Sequence, residues 1–505
     1  MKRKVKKIFM ISSEITGLAK TGGLADVVLA LSNALSGFGH DVKVVIPCYK
    51  EIKKQKDLKK IGSMEVPMGN GCKESCDIHI VNLHDSSEKI TVQVYLIDHE
   101  NYFSGRDGIY GNSIETDFKD NSKRFSFFSK AALQLCHKID WYPDVIHVHD
   151  WPTAIVPVYL KYLKESGIDP GSFEKTVSVL SIHNLGYQGI YEKDNFNYMG
   201  IDWDLFNKAG FEHDSNYLNM LKAGLCCTDK LNTVSPTYAE EIKTQAYGCG
   251  LDGILRDRAS DFSGILNGID TDVWNPSIDQ YLTEEQRYSI NDMSGKAKAK
   301  EALQLKFGLP VNSVIPIIGM VTRLTDQKGI IELFRDNGAI WSIFRDMDIQ
   351  MVILGSGDKW CEETIKNYAS KLYNLKAKIG YSEELAHLVE AGSDFFLMPS
   401  RYEPSGLNQM YSLVYGTLPI VRNTGGLADT VENYDETTGN GTGFMFNDMT
   451  PQAIYDTVGW AVSTWYDRPQ HIEKMQKLGM QKDFSWEKSA QAYVDLYESV
   501  LSKNS

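Results

Sequence analysis

Arg323 and Lys328 fall in Val321-Thr322-Arg323-Leu324-Thr325-Asp326-Gln327-Lys328-Gly329, where a buried-looking apolar run gives way to a glycine-containing loop. Loops at the carboxyl ends of parallel strands form ligand sites. Two fixed cations there suit a diphosphate, arginine as a planar fork and lysine as a point charge; the plainer alternative is a solvated loop paired to Asp326. Met398-Pro399-Ser400-Arg401-Tyr402-Glu403-Pro404-Ser405-Gly406-Leu407 is a second strand-to-helix junction. Pro404 disfavours helical geometry at Glu403, and Gly406 permits close backbone approach. A carboxylate held in such a loop can bind sugar hydroxyls or stabilise positive charge developing at a sugar carbon. More plainly, it faces a helix dipole.

His147-Val148-His149-Asp150-Trp151 ends another apolar run, and strand alternation puts His147 and His149 on one face. Two imidazoles without a third ligand nearby make a poor metal site; a sugar site using Asp150 and Trp151 is the more natural reading. Ser181-Ile182-His183-Asn184-Leu185-Gly186-Tyr187-Gln188-Gly189 carries neutral His, Asn and Gln donors suited to hydroxyl recognition, although a strand-end histidine is often a satisfied structural residue. A hexapeptide occurs twice, as Thr21-Gly22-Gly23-Leu24-Ala25-Asp26 and as Thr424-Gly425-Gly426-Leu427-Ala428-Asp429. A glycine pair opening a helix exposes backbone N–H groups and attracts phosphate. Two copies in matching contexts favour ligand binding over two well-packed turns.

These residues need a scaffold of parallel strands. The 505 residues suffice for two domains and a large core. Acidic residues outnumber basic ones, 66 to 53, which argues against a general binder of nucleic acid or anionic membranes. Any anionic ligand therefore needs a local basic pocket. The basic residues 1–7 precede an apolar run too short for a signal peptide, and a first β-strand fits better. No stretch reads as a membrane span. The eight cysteines lack zinc spacing and read as reduced thiols of a cytoplasmic protein. Short apolar runs alternate with helical patterns, the mark of βαβ units. Strands are expected at 5–11, 42–46, 145–148 and 176–182, then at 315–321, 350–354, 395–398 and 418–421. Helices are expected at 24–38, 118–137, 153–165, 407–415 and 427–433. Residues 62–97 read as an antiparallel insertion, the polar stretch 270–298 as a hinge or connector, and 486–501 as a closing helix.

In order along the chain, Lys20–Val27, His149-Asp150-Trp151, Ile182-His183-Asn184, Thr233-Val234-Ser235-Pro236-Thr237-Tyr238, Asn267-Gly268-Ile269-Asp270, Arg323, Lys328, the Arg401–Gly406 loop and Gly416-Thr417-Leu418-Pro419-Ile420-Val421 resemble bacterial glycogen synthases and plant starch synthases over nearly the full length. The resemblance implies an α/β GT-B fold, with two Rossmann-like domains whose parallel sheets face an interdomain cleft. It implies an N-terminal acceptor-side domain at 1–265, a donor-side domain at 266–485 and a final helix at 486–505 packing back on the first. It implies transfer of glucose from ADP-glucose, a substrate rather than a cofactor, to the non-reducing 4-hydroxyl of an α-1,4-glucan with retention. Neither nucleic acid nor membrane is an expected partner, and no metal is expected. By motif, Glu403, His183, Asp150 and Lys20 are the catalytic candidates. Lys20, Gly22, Gly23, Arg323, Lys328, Tyr381, Ser405, Gly406, Leu407, Thr424, Gly425 and Gly426 are the donor-binding candidates. Arg323 and Lys328 would hold the diphosphate, Gly425 and Gly426 would offer N–H groups to the departing nucleotide, His183 would contact glucose, and Tyr381 would pack on adenine.

The chain departs from the family pattern at Pro152, Ser405 and Asn408, where His, Cys and Thr are more usual. Alternatives are a GT-B enzyme that uses UDP-glucose or a small acceptor, and a catalytically silent glucan-binding protein. A covalent intermediate and same-face attack both remain open as routes to retention.

Overall fold

The computed structural model describes residues 5–84, 91–112, 116–166 and 171–504; residues 1–4, which include most of the basic start, lie outside it. The chain forms two compact units. One reaches Gly268 and also takes in the chain from Trp486 onward, and the other is Ile269–Ser485.

The first unit contains β1 (Lys7–Ile11), β2 (Asp41–Pro47), β3 (Lys59–Pro67), β4 (Lys73–His84), β5 (Thr91–Asp98), β6 (Val145–His149), β7 (Val177–Ile182), β8 (Ile190–Glu192), β9 (Tyr217–Asn219), β10 (Lys230–Thr233) and β11 (Phe262–Gly264). Nine of them make one sheet, ordered β11-β10-β7-β6-β1-β2-β5-β4-β3, and β8 and β9 form a separate hairpin. Ile8–Ile11, Val145–His149 and Val177–Ile182 are buried along their whole lengths. Helices on both faces require such unbroken apolar runs. The stretch read as an antiparallel insertion extends the main sheet: β4 pairs antiparallel with β3 and β5, while β5 pairs parallel with β2. The helix expected at 153–165 is broken at Ala154 into Asp150–Thr153 and Ile155–Ser166. The last helix, Trp486–Leu501, buries Tyr493 and Tyr497 in the core of this unit.

The second unit contains β12 (Ile317–Val321), β13 (Gln350–Gly355), β14 (Leu375–Ile379), β15 (Phe395–Met398), β16 (Leu418–Arg422) and β17 (Phe444–Phe446). All pair in parallel, in the order β14-β13-β12-β15-β16-β17. The chain runs outward one way from β12 and then the other way from β15, so the order reverses between these two strands. Crevices form at such switch points, beyond the carboxyl ends of the strands.

The polar stretch 270–298, expected to be a hinge or connector, is instead a strap fastened to the second unit. The Trp274 ring lies between His387 and Tyr411, with centroids 3.7 and 3.8 Å away and planes within 10°. Asp279 Oδ2 accepts hydrogen bonds from Tyr415 (2.6 Å) and His387 Nδ1 (2.8 Å). Buried Tyr288 donates to the carbonyl of Tyr415 at 2.8 Å. The mean polarity of the stretch hid these anchors, because each is a single residue within a hydrophilic run.

Candidate active site

In the second unit, the loops after β12 and β15 flank the switch point and bring together residues far apart in sequence. Arg323, Lys328, Ser400, Glu403, Gly406, Leu407 and Asn408 line one cleft of about 170 Å³. Lys328 Nζ lies 2.5 Å from Glu403 Oε2, and Ser400 donates to the same oxygen at 2.9 Å. Glu403 is only 6% exposed. The carboxylate expected from sequence to face a ligand thus lines the cleft while buried against a lysine, its partners being Lys328 and Ser400. Arg323 is exposed at the cleft's edge. Asn408 donates to the carbonyl of Val321 at 2.6 Å, tying the helix after β15 to the end of β12.

In the second hexapeptide, Gly426 departs from its expected role. The Gly426 N–H donates to the carbonyl of Glu403 at 3.0 Å, so it already has an acceptor and is not presented to a nucleotide. A Cβ on Gly425 would lie 2.0 Å from Glu403 O, and one on Gly426 would lie 1.9 Å from Ser405 O. The glycine pair thus lets two backbones touch and seats the Glu403 loop. Thr424 and Ser405 are buried beside this contact. Tyr381 follows β14 at the same end of the parallel sheet and is 68% exposed, with its hydroxyl on Glu383.

In the first unit the order reverses between β1 and β6. The loop after β1 carries Lys20, Gly22 and Gly23. Gly23 opens the helix Gly23–Gly37, whose N-terminus has no side-chain cap. Gly22 has an extended backbone, and nothing lies within 4 Å of where its Cβ would be. The two hexapeptides thus share letters but differ in conformation and surroundings. Lys20 Nζ sits 2.6 Å from Asp26 Oδ1, which also accepts from Thr16 at 2.7 Å. Buried Glu14, which sequence reasoning passed over, anchors this loop. It accepts the backbone N–H and hydroxyl of Thr21 and, at 2.6 Å, the hydroxyl of Tyr110. Its only signal was an acidic residue three positions past the first buried strand.

Asp150 follows β6 with φ +54°, an uncommon and strained setting for a non-glycine residue. Because β6 and β7 are neighbours, its Oδ1 reaches the N–H of His183 at 2.7 Å. Burial pushes the Asp150 carboxyl up to about 7, against the backbone bonds from His183 and Asn184, and nearby Glu14 adds to the rise. His183 Nε2 pairs with His149 Nδ1 at 3.1 Å. Burial lowers His183 to about 4 and His147 to about 3, and holds His149 well below the usual imidazole range. All three rings are neutral at pH 7.

His147 uses both nitrogens structurally, one with Tyr497 (2.8 Å) and one with Ser181 (2.6 Å). Trp151 packs edge-on against Phe125 in the core, and Gln188 bonds Asn219 and the carbonyls of Leu185 and Cys249. These three therefore serve the scaffold, not a sugar.

Among the described residues, Asp77, His79 and Asp98 cluster tightly enough to suggest a cation site. Lys60 and Lys53 already pair with the two carboxylates, at 2.6 and 3.0 Å. A larger cavity of about 960 Å³ in the second unit is lined in part by Lys296, Lys300, Asp394 and Trp465. It lies where β15 begins, and its buried lysines are held by Asp394 and by backbone and hydroxyl oxygens.

The starch synthase catalytic domain family matches residues 7–257, and the group 1 glycosyl transferase family matches residues 304–478. A glycogen synthase of Treponema denticola is 51% identical over 98% of this chain and 99% of its own.

The chain belongs to the glycogen and starch synthase family.

Glycogen synthase 1 of Geobacter metallireducens is 46% identical over 98% of this chain and 96% of its own. The structure is similar to the catalytic domain of starch synthase IV from Arabidopsis thaliana, solved bound to ADP and acarbose, with TM-score 0.87, 31% identity and coverage of 99% of this chain and 100% of that one. A sucrose-phosphate synthase from Thermosynechococcus elongatus shares the fold, with TM-score 0.59 at 17% identity over 99% of this chain and 100% of its own. The family membership bears out the α/β GT-B class with parallel-dominated sheets, and it makes the chain a retaining glucosyltransferase of the glycogen and starch synthase kind. No helix among the described residues is long and apolar enough to cross a membrane.

Proposed function

We propose that this protein transfers glucose from ADP-glucose to the non-reducing-end 4-hydroxyl of an α-1,4-glucan, with retention at the anomeric carbon. One observation carries the site assignment: Arg323 and the Lys328–Glu403 pair share a cleft at the switch point of a parallel sheet. In this reading Arg323 and Lys328 receive the diphosphate. Breaking the glucosyl–phosphate bond builds negative charge on the leaving group, and fixed cations stabilise that charge as it grows. Glu403 orients Lys328 and stabilises the positive charge developing on the sugar. With Oε2 held by Lys328 and Ser400, it acts as an electrostatic group rather than a nucleophile. Gly406 and Leu407 line the donor's path, and exposed Tyr381 offers a ring face to adenine.

His183 donates to a glucose hydroxyl. Asp150 fixes the His183 backbone and, through its raised pKa, responds to the charge in the site. Lys20, Gly22 and Gly23 serve the donor, and the open space at Gly22 leaves room for a ligand. The reading places the protein in the cytoplasm, where its eight free cysteines stay reduced.

The test incubates purified protein with ADP-glucose or UDP-glucose plus glycogen, and follows nucleotide release and chain growth. A higher kcat/KM for ADP-glucose is expected. Equal or reversed values overturn the donor assignment, and absence of turnover with both donors favours a silent glucan-binding protein.

A further inference from the structure

The pairing of His149 with His183 contains more than a contact. His149 Nδ1 and His183 Nε2 lie 3.1 Å apart, and both rings are neutral, so one nitrogen donates and the other accepts. The other nitrogen of His149 decides which. His149 is fully buried, and its Nε2 has no partner among the described residues. If His183 donated, His149 would carry its proton on Nε2 and bury an N–H with no acceptor. If His149 donates, Nε2 is a bare lone pair, which is the less costly orphan.

Neighbouring groups offer Nε2 no remedy. The adjacent ring, His147, has its centroid 4.3 Å from that of His149, but its own nitrogens are engaged. Ser181 gives its hydroxyl proton to Asn232 and therefore accepts from His147 Nε2, which leaves His147 Nδ1 to accept from Tyr497. The Thr153 hydroxyl bonds the backbone of His149, not its ring.

We infer that His149 is a positioning residue that donates from Nδ1 to His183 Nε2 and so holds His183 as the neutral imidazole protonated on Nδ1. That nitrogen has no protein partner among the described residues, and His183 is partly exposed. His183 thereby presents a fixed N–H to the ligand space, where an unfixed ring would present a lone pair for part of the time. An N–H donor suits a sugar hydroxyl oxygen that must accept, and a wrong tautomer removes the donor without moving the ring. The kinetic consequence rests on His183 contacting the sugar as proposed above; the tautomer assignment does not.

Two measurements test it on the full-length protein. Long-range 1H–15N correlation of 15N-histidine-labelled protein at neutral pH distinguishes the tautomers, with the His183 signal identified by its loss in His183→Ala. The wild type should show His183 protonated on Nδ1, and protonation on Nε2 overturns the inference without any variant of His149 having to fold.

The second measurement is kinetic. His149→Phe keeps a ring but loses the donor, and kcat should fall by about tenfold or more, less than the roughly 10²–10³-fold cost of deleting an oriented donor outright because the His183 ring remains. His149→Asn, whose amide N–H can occupy the Nδ1 position, should recover most of that loss. Equal kcat in the two folded variants overturns the positioning role. If His183→Ala itself turns over normally, the sugar contact fails while the tautomer result stands.

Discussion

Glu403, itself nearly buried, shares one oxygen between the Lys328 ammonium and the Ser400 hydroxyl, and this changes what its replacement should do. Glu403→Gln removes the negative charge while keeping the shape. Turnover should fall by about 10²-fold or more, the scale of one preorganised electrostatic group. The variant should also lose about 1–3 kcal/mol of stability, because the largely covered Lys328 loses its ionic partner. ADP should bind as tightly as before or tighter, since Lys328 is then released toward the diphosphate. Kinetics, calorimetric unfolding and ADP titration check the three parts. A folded Glu403→Gln protein with near-normal kcat would remove Glu403 from the mechanism.

At the level of elements, the repeated hexapeptide serves two unlike purposes. Gly426→Ala would drive a methyl group into the Ser405 carbonyl, 1.9 Å away, where backbone cannot yield without moving the Glu403 loop. It should cost about 1–3 kcal/mol or more and most of the activity. Gly22→Ala meets open space and an ordinary extended backbone, so its unfolding temperature should match the wild type. Equal destabilisation by both substitutions would contradict this distinction.

The strap over the second unit makes a pH-dependent prediction. Burial opposes charge on His387, but its bonds to Asp279 and Glu383 outweigh burial and raise its pKa. Its contribution to stability is therefore complete below the unfolded value of about 6.5 and is lost as pH rises through the higher folded value. Burial of Asp279 is likewise outweighed, by His387, Tyr415 and the Tyr281 N–H, and its pKa is lowered. Its contribution is present above about 3.9 and is lost as pH falls through the lower folded value. Unfolding temperature should decline above neutrality in the wild type, and His387→Gln should flatten that decline. Identical slopes in scanning calorimetry would show that the strap does not titrate.

Across the whole molecule, two parallel-dominated sheets each place their candidate residues beyond a switch point, beside β1 and β6 in one unit and β12 and β15 in the other. A protein of formal net charge −13 places Arg323 and Lys328 together in one cleft, where the proposed reaction requires an anion to bind. If those side chains supply the positive charge for the leaving diphosphate, as proposed, activity should persist after exhaustive chelation. An enzyme that stops with chelator and recovers with a divalent ion would show that the two cations are insufficient.

Much of this was legible without coordinates. Unbroken apolar runs marked β1, β6, β7, β12 and β15 because strands covered on both faces must be apolar throughout. Motif order carried the family, and the residues after those strands were candidates because parallel sheets gather such residues at one end. What the letters could not carry was pairing across the fold. Thr-Gly-Gly-Leu-Ala-Asp reads the same twice, yet the glycines of the second copy press against the Glu403 loop while Gly22 of the first meets open space. Nothing in Asp279 announces His387, and Glu14, like His149, gains its role from a neighbour on another segment. Spacing along the chain reports local geometry. Whether a buried proton or charge finds its partner is settled only when distant segments meet, and in this protein those meetings decide which nitrogen donates and which carboxylate stays paired.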